Sequence, residues 1–247
     1  MHLGGPHLFD DNGLAERLTD HPLDNPLWHA LGGSLAQHCR VFGGVRLLAP
    51  DIGSVAAMKQ VTPANVSALA AAIPYGSEIL AIAPEPIPPT AELEVVHIKQ
   101  LLQMVAERLA PVESSVSANE LSATDFPQML ALVEITRPGP LGPRALELGG
   151  FRGIFDGDKL VALAGERLHL DGFTEIATVC THPDYRGRNY GKAVVSAVAQ
   201  GIVEHGQTPF LGVNADNIPA IRLYERLGFT HRRTLYLNTV RRPQPVL

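Results

Sequence analysis

Cysteine is nearly missing: the 247 residues hold two, Cys39 and Cys180. They lie far apart with neither metal-ligand nor redox spacing, so a disulfide framework and a thiolate metal site drop out, and buried free thiols are expected. Charge is also sparse at 18% of residues, and 25 acidic groups outnumber 20 basic ones for a net charge of −5. A protein whose main ligand is nucleic acid would show the opposite balance. No apolar run approaches the roughly 18 residues of a membrane-crossing helix. Met1 to Pro6 lacks the basic start and apolar stretch of a secretory leader, so a cytoplasmic setting is expected. The ten histidines include no H-E-x-x-H, and no G-x-S-x-G elbow occurs. Neither a metal nor a serine triad is therefore expected.

What is present is the composition of a folded protein with many turns: 45% hydrophobic residues, 23 Gly and 20 Pro. The length suits two small domains, each with its own core. Charge is unevenly spread. From His182 to the end there are nine Lys/Arg against four Asp/Glu, while residues 1–181 hold eleven against twenty-one. The C-terminal segment is thus suited to a polyanionic small ligand.

Asn25-Pro26 followed by Leu27, Trp28, Leu31 and Leu35 predicts a capped helix running to about Cys39. Val41 to Leu48 reads as one strand, Thr62-Pro63 opens a helix to about Ala72, and Glu78 to Ile82 is a further strand. After a proline-rich connector, the apolar segment Val95 to Val105 is expected to pack back. Pro111 to Ser122, rich in Ser, Glu and Asn, reads as a linker. The expected division is residues 1–116, an N-terminal α/β domain, and residues 117–247. In the second, Thr124-Asp125 caps a helix with Phe126, Met129, Leu130 and Val133 on one side. Three antiparallel strands follow, Phe151 to Phe155, Leu160 to His169 and Phe173 to Thr181, turned by Asp156-Gly157 and Asp171-Gly172. A helix from about Gly191 to His205, a strand at Phe210 to Val213, a helix from Asn217 to Leu227 and a strand from Phe229 to Leu237 complete the pattern.

Between the third of those strands and the next helix, Thr181 to Lys192 concentrates glycine and positive charge. Free N–H groups at a helix start, the helix dipole and closely approaching glycine backbone together bind phosphate oxygens. It is not a nucleotide P-loop. The spacing from Gly187 to Gly191-Lys192 is one residue short, and Ala193 stands where a magnesium-binding hydroxyl belongs. Nor is it a dinucleotide fingerprint, because antiparallel hairpins precede it and G-x-G-x-x-G is absent.

Arg186-Gly187-Arg188-Asn189-Tyr190-Gly191 resembles the pyrophosphate loop of the GNAT acyltransferase superfamily, Gln/Arg-x-x-Gly-x-Gly/Ala. Asn189 replaces the first glycine, and Asn tolerates left-handed backbone. Downstream, Asn217, Ala220, Tyr224 and Gly228-Phe229 match the family's Asn-x-x-Ala-x-x-x-Tyr-x-x-x-Gly-Phe. The order of elements matches too, over roughly residues 121 to 237, and the pattern looks like the subgroup related to glycine N-acyltransferases. The resemblance implies an α/β fold with a mixed sheet (α+β) in the C-terminal half. The smaller N-terminal α/β half is read as a divergent, degenerate sister domain.

The resemblance also implies an activity: transfer of an acetyl or other short acyl group from acyl-CoA to a primary amine by direct attack in a ternary complex. Glu175, eleven residues before Arg186 and sharing a strand face with Val179, matches the family's general base. The Val179 N–H would hold the thioester carbonyl, and Tyr224 would protonate the departing thiolate. Acetyl-CoA would be held by Val179, Thr181, Arg186, Gly187, Arg188, Asn189, Tyr190, Gly191, Lys192, Asn217 and Tyr224. Without those matches, Glu175 would read as a solvated strand carboxylate and Tyr224 as helix core. The implied partners are acyl-CoA and a small amine or a peptide amine, with neither nucleic acid nor membrane. A homodimer is left open, as are the acceptor and the acyl chain length. The alternative is a catalytically weak acyl-CoA-binding sensor.

Overall fold

The computed structural model describes residues 21–111 and 116–245. Helix α1 (Pro26–Gly32) starts where expected but ends after two turns, and a separate 3-10 turn holds Ala36–His38. Consecutive glycines at 32 and 33, the worst helix formers after proline, break the predicted run to Cys39. Asn25 does not cap α1. Its Nδ2 instead donates to the Met58 carbonyl at 2.8 Å. The segment expected as one strand is a hairpin, β1 (Cys39–Phe42) and β2 (Val45–Leu48), reversed at Gly43 with φ 57°. β3 (Val55–Met58) is buried at all four positions, so no alternation betrays it in the sequence. Helix α2 (Pro63–Ala72) is capped by the Thr62 hydroxyl, which accepts from the Asn65 N–H at 3.3 Å, and β4 (Glu78–Ala83) follows.

The apolar segment beyond the prolines is a twelve-residue strand, β5 (Glu94–Val105), and β6 (Asn119–Leu121) lies inside the expected linker. Helix α3 (Phe126–Thr136) is preceded by a capping box between Ser122 and Asp125. It buries Met129 and Leu132, whereas Leu130, expected on the inner face, is 39% exposed. Strands β7 (Phe151–Asp156), β8 (Lys159–Leu170) and β9 (Phe173–Thr181), helix α4 (Tyr190–Glu204), β10 (Thr208–Asn214), α5 (Ile218–Arg226) and β11 (Thr230–Arg241) follow in the expected order.

The eleven strands among the described residues form one mixed sheet, in the order β1-β2-β3-β4-β11-β5-β10-β9-β8-β7-β6. Strands from before and after residue 116 are therefore hydrogen-bonded to each other: β5 lies between β10 and β11, and β11 between β4 and β5. Pair directions mirror each other about the β5–β11 ladder. Moving outward, β4 and β10 are antiparallel to the central pair, β3 and β9 run parallel to those, and β2 and β8 turn antiparallel again. Each parallel pair is bridged by a helix, α2 or α4, as parallel strands require a crossover.

Apolar side chains cover both sheet faces. Leu27 and Leu31 of α1 pack with Leu168, Phe210 and Leu235, while on the other face Val194, Val195 and Val198 of α4 pack with Ile176, Leu211 and Val213. Val66 and Leu69 of α2 join Val45 and Val240, and Met129 and Leu132 of α3 join Phe151, Leu163 and Cys180. Cys39 and Cys180 are both free thiols. No helix among the described residues is long and apolar enough to cross a membrane.

Candidate functional site

Strands β9 and β10 pair only from Phe173–Thr208 to Ile176–Leu211. Beyond that point they part, β9 running on to Thr181 and β10 to Asn214. The edge of β9 that faces β10 thereby leaves the ladder, and such backbone groups accept an extended ligand as they would a strand. In the β8–β9 ladder, Leu163 pairs with Cys180 and Gly165 with Ala177. Three steps on β9 thus oppose two on β8, the mark of a β-bulge. Within it Thr178 has φ 55°. A β-branched residue at positive φ is a rare conformation, held only where the surroundings over-determine it.

The bulge overturns one expectation. Glu175 is in register with Phe210, which packs on the α1 side, whereas Val179 packs with the α4 cluster. One extra residue between them reverses the alternation, so Glu175 and Val179 do not share a face.

Beyond Thr181, the chain makes a 3-10 turn (Pro183–Tyr185) and enters α4 through Gly187 at φ 78° and Asn189 at φ 61°. Asn189 holds the left-handed backbone that a glycine would supply. It is the N-cap of α4 but its side chain caps nothing, so the first-turn N–H groups of this helix receive no side-chain acceptor from it. Arg188 lies over the Tyr185 ring at 4.8 Å, and Tyr185 stacks on Tyr190 at 6.4 Å. Among the described residues Arg186, Arg188 and Lys192 have no carboxylate partner. At Gly191, an added Cβ would stand 3.5 Å from Thr181 Oγ1, so the helix start and the end of β9 are adjacent.

On the other face, Glu175 is bound through both carboxylate oxygens: Arg167 Nε and Nη2 each donate at 2.7 Å. The Glu175 side chain is 6% exposed and that of Arg167 25%. Burial alone would lower the Arg167 pKa, and the Glu175 charge and hydrogen bonds more than reverse this, holding it above its ordinary value. Arg167 is not among the residues that the sequence motifs single out. Its signal was the Asp171-Gly172 turn, which folds β8 back along β9 and brings residue 167 opposite 175.

Tyr224 of α5 is buried, edge-on to Phe229 at 6.1 Å, and burial pushes its pKa up to about 12. Its hydroxyl has no hydrogen-bond partner among the described residues. Asn217 Oδ1 accepts from the Ala220 N–H at 3.3 Å, so this side chain caps α5. Pro140 and Leu141 line two spaces at once. One is a small cavity with Arg167 and Thr178; the other is an open groove of about 540 Å³ bounded by Leu80, Val133, Arg137 and Thr239.

Residues 151–237 match the family model described as FR47-like protein. The crystal structure of a GNAT-family protein from Novosphingobium aromaticivorans DSM 12444 superposes with a TM-score of 0.84 at 35% identity, covering 91% of this chain and 100% of that one. A GCN5-related N-acetyltransferase from Kribbella flavida shares the fold, with a TM-score of 0.61 at 21% identity over 86% of this chain and 94% of its own. Mycothiol acetyltransferase of Corynebacterium glutamicum (strain R) is 36% identical over 78 residues, 31% of this chain and 27% of that protein. The [ribosomal protein bS18]-alanine N-acetyltransferase of Escherichia coli (strain K12) is 33% identical over 93 residues, 36% of this chain and 62% of its own length. The chain thus spans less than two thirds of each of these two curated relatives.

Proposed function

The chain belongs to the GNAT family of acetyltransferases, and from that premise we propose that it moves an acetyl or other short acyl group from acyl-CoA to a primary amine by direct attack. The observation that carries this reading is the coincidence of three features along one strand. The edge of β9 leaves its ladder, carries a bulge at Thr178, and leads into a helix start whose cations have no carboxylate partner among the described residues. An acyl-CoA fits them in order. Its thioester arm lies along the parted edge between Ala177 and Thr181. Its pyrophosphate meets the N–H groups and side chains from Arg186 to Lys192, including Gly187, Arg188, Asn189, Tyr190 and Gly191. Asn217 contributes by fixing α5, which carries Tyr224.

In the ternary complex the amine nitrogen attacks the thioester carbon while the carbonyl oxygen is held by the Val179 N–H. The C–N bond forms, the C–S bond breaks, and the electron pair leaves on sulfur. An alkylammonium with a pKa near 10.4 must first lose a proton. Glu175 accepts it through a water, since bidentate pairing with Arg167 uses one lone pair on each oxygen and leaves the other free. Tyr224, still protonated at neutral pH, supplies the proton for the thiolate, while solvent takes the second proton that the nitrogen sheds after attack and restores the Tyr224 hydroxyl.

Within the family, the run from Glu175 to Thr181 supports a place beside the glycine N-acyltransferase subgroup, and free Cys39 and Cys180 support a reducing, cytoplasmic setting. The mirrored pair directions support reading residues 1–116 as a divergent sister of residues 117–247. In that half β3 and β4 each end one residue beyond their last pair, Ala57–Ile82, so no parted edge like that of β9 is formed. The four residues joining β3 to α2 end in Thr62, whose hydroxyl caps its own helix. One acyl-CoA per chain, in the C-terminal half, is the consequence.

The test is release of free CoA thiol from acetyl-CoA over a panel of amino acids, polyamines, aminoglycosides and short peptides, with calorimetry for binding. Turnover with any amine supports the transferase. Tight binding without release assigns a sensor, and no binding removes the reading.

A further inference from the structure

Strand β5 is interior to the sheet, yet only part of it is paired on both sides. It pairs with β11 from Val105 to Glu94, but with β10 only from Val105 to Leu101, where β10 ends at Asn214. Two bonds flank that shorter ladder: the Ala106 N–H donates to the Pro209 carbonyl at 3.0 Å, and the Ala215 N–H to the Gln100 carbonyl at 2.9 Å. In an antiparallel ladder every second residue bonds to the same side, so from Ala106 back to Ile98 the even-numbered residues turn N–H and C=O toward the line of β10. Past Ala215 the chain turns into α5, and among the described residues nothing pairs with the Gln100 N–H or with the N–H and carbonyl of Ile98 on that side. Residues 97–100 are all exposed, Ile98 at 45%, and Ile218, which starts α5, is 48% exposed. This unpaired edge of β5 and the parted edge of β9 thus face the same line, the one that β10 leaves at its end.

We propose that the acceptor is a polypeptide N-terminus bound as an added strand, which continues the line of β10 and exchanges hydrogen bonds with Ile98 and Gln100. The inference rests on the acyl-CoA reading above and selects the peptide amine among its acceptors. Free N–H and C=O groups at alternate residues recognise extended backbone, which a small amine does not offer. From Gln100 to Glu94 the edge runs about 20 Å, room for roughly six residues. The direction follows from β10, which runs toward the opening and antiparallel to β5. A peptide continuing that line has its first residue beside the end of β10, where its α-amine meets the thioester at Val179. The C–N bond then forms and the C–S bond breaks as described above. Pairing of this edge with a second copy is opposed by His97 and Lys99, polar and charged residues of the kind that block edge-to-edge association.

The acceptors to compare are hexapeptides with free N-termini, the dipeptides made of their first two residues, and the best hexapeptide N-methylated in turn at its third to sixth residues. With acetyl-CoA as donor, the best hexapeptide is expected to show a KM at least about tenfold below that of its dipeptide, the worth of two or more backbone hydrogen bonds. N-methylation should raise KM about three- to tenfold at every second residue and hardly at those between, since only alternate N–H groups face β5. On the protein, Ile98→Pro removes an N–H that faces the opening and spares the bonds to β11, which come from odd-numbered residues. Thermal melting checks its fold, and its hexapeptide KM should rise by the same factor relative to the dipeptide's. If Ile98→Pro does not fold, the N-methyl series decides alone. Equal KM for hexapeptide and dipeptide, or N-methyl effects without alternation, refute the added strand, while acetyl transfer to either peptide leaves the transferase reading standing. A dimer in light scattering that Ile98→Pro dissociates gives this edge to a second copy and likewise overturns the proposal. If the parent binds no acetyl-CoA, both readings fall.

Discussion

Removing Arg167 tests how the Glu175 carboxylate is held. Arg167→Met keeps an apolar stem but removes the guanidinium, leaving a carboxylate that is 6% exposed without its partner. Breaking a buried pair this way costs about 3–5 kcal/mol, against a near-neutral effect of replacing both partners with apolar groups. Glu175→Gln is expected to cost less, about 1–2 kcal/mol, because the abandoned guanidinium is 25% exposed and reaches water. The order Arg167→Met worse than Glu175→Gln, with Arg167→Met/Glu175→Met close to the parent, is therefore fixed by the two exposures. Urea unfolding of the four proteins at pH 7.5 reads this order. A deficit under about 1 kcal/mol for Arg167→Met would refute the argument that this pair is buried and mutually required.

Four further outcomes are expected. Glu175→Gln should lower turnover far more than acetyl-CoA affinity, with a loss that shrinks toward high pH as the free amine becomes abundant; a loss equal at all pH values assigns a positioning role instead. Tyr224→Phe deletes a hydroxyl without a partner, so thermal melting should barely move while single-turnover transfer slows by about 10²–10⁴; transfer at the parental rate makes Tyr224 a packing residue. Asn189→Val places a β-branched side chain at φ 61° and should weaken CoA binding by about 5–30-fold, matching the 1–2 kcal/mol cost of left-handed backbone, whereas Asn189→Gly should retain it; calorimetry distinguishes the two. Residues 1–116 and 117–247, expressed as separate chains, should each lack a cooperative melt and regain one when co-expressed, since β5 and β11 each pair across the division; a cooperative melt of either piece alone identifies an autonomous domain.

The parts of the fold legible in sequence are those fixed by near neighbours. Hairpins at Asp156-Gly157 and Asp171-Gly172, the capped α5 and the left-handed Asn189 all depend on a few adjacent residues. The N-terminal half was harder for the same reason inverted. Gly32-Gly33 cuts a helix whose apolar spacing continues to Leu35, and Gly43 folds what alternation alone reads as one strand. β3 is too short and too fully buried for any periodicity. At the site, residue types in the loop and on α5 were readable, but the bulge was not. Nothing in Ala177-Thr178-Val179 announces an extra residue; only its pairing with β8 does. Arg167 lies across the Asp171-Gly172 turn, a local signal that was legible, whereas β5 comes to lie beside β10 through pairing between distant parts of the chain, which no local pattern encodes.

The position of β5 has a consequence for how the protein is made. Leu101 pairs with Asn214 on one side and with Leu235 on the other, so a chain emerging from the ribosome presents a twelve-residue strand long before either partner exists. Such distant pairings make folding slow and leave strand edges open in the meantime. His97, Lys99 and Gln100 interrupt the apolar run of this strand, and charged or polar residues so placed discourage self-pairing between nascent chains. Their replacement by valine would leave the candidate site of the finished protein untouched, and the damage would fall on yield, as aggregates collected before β11 is synthesised.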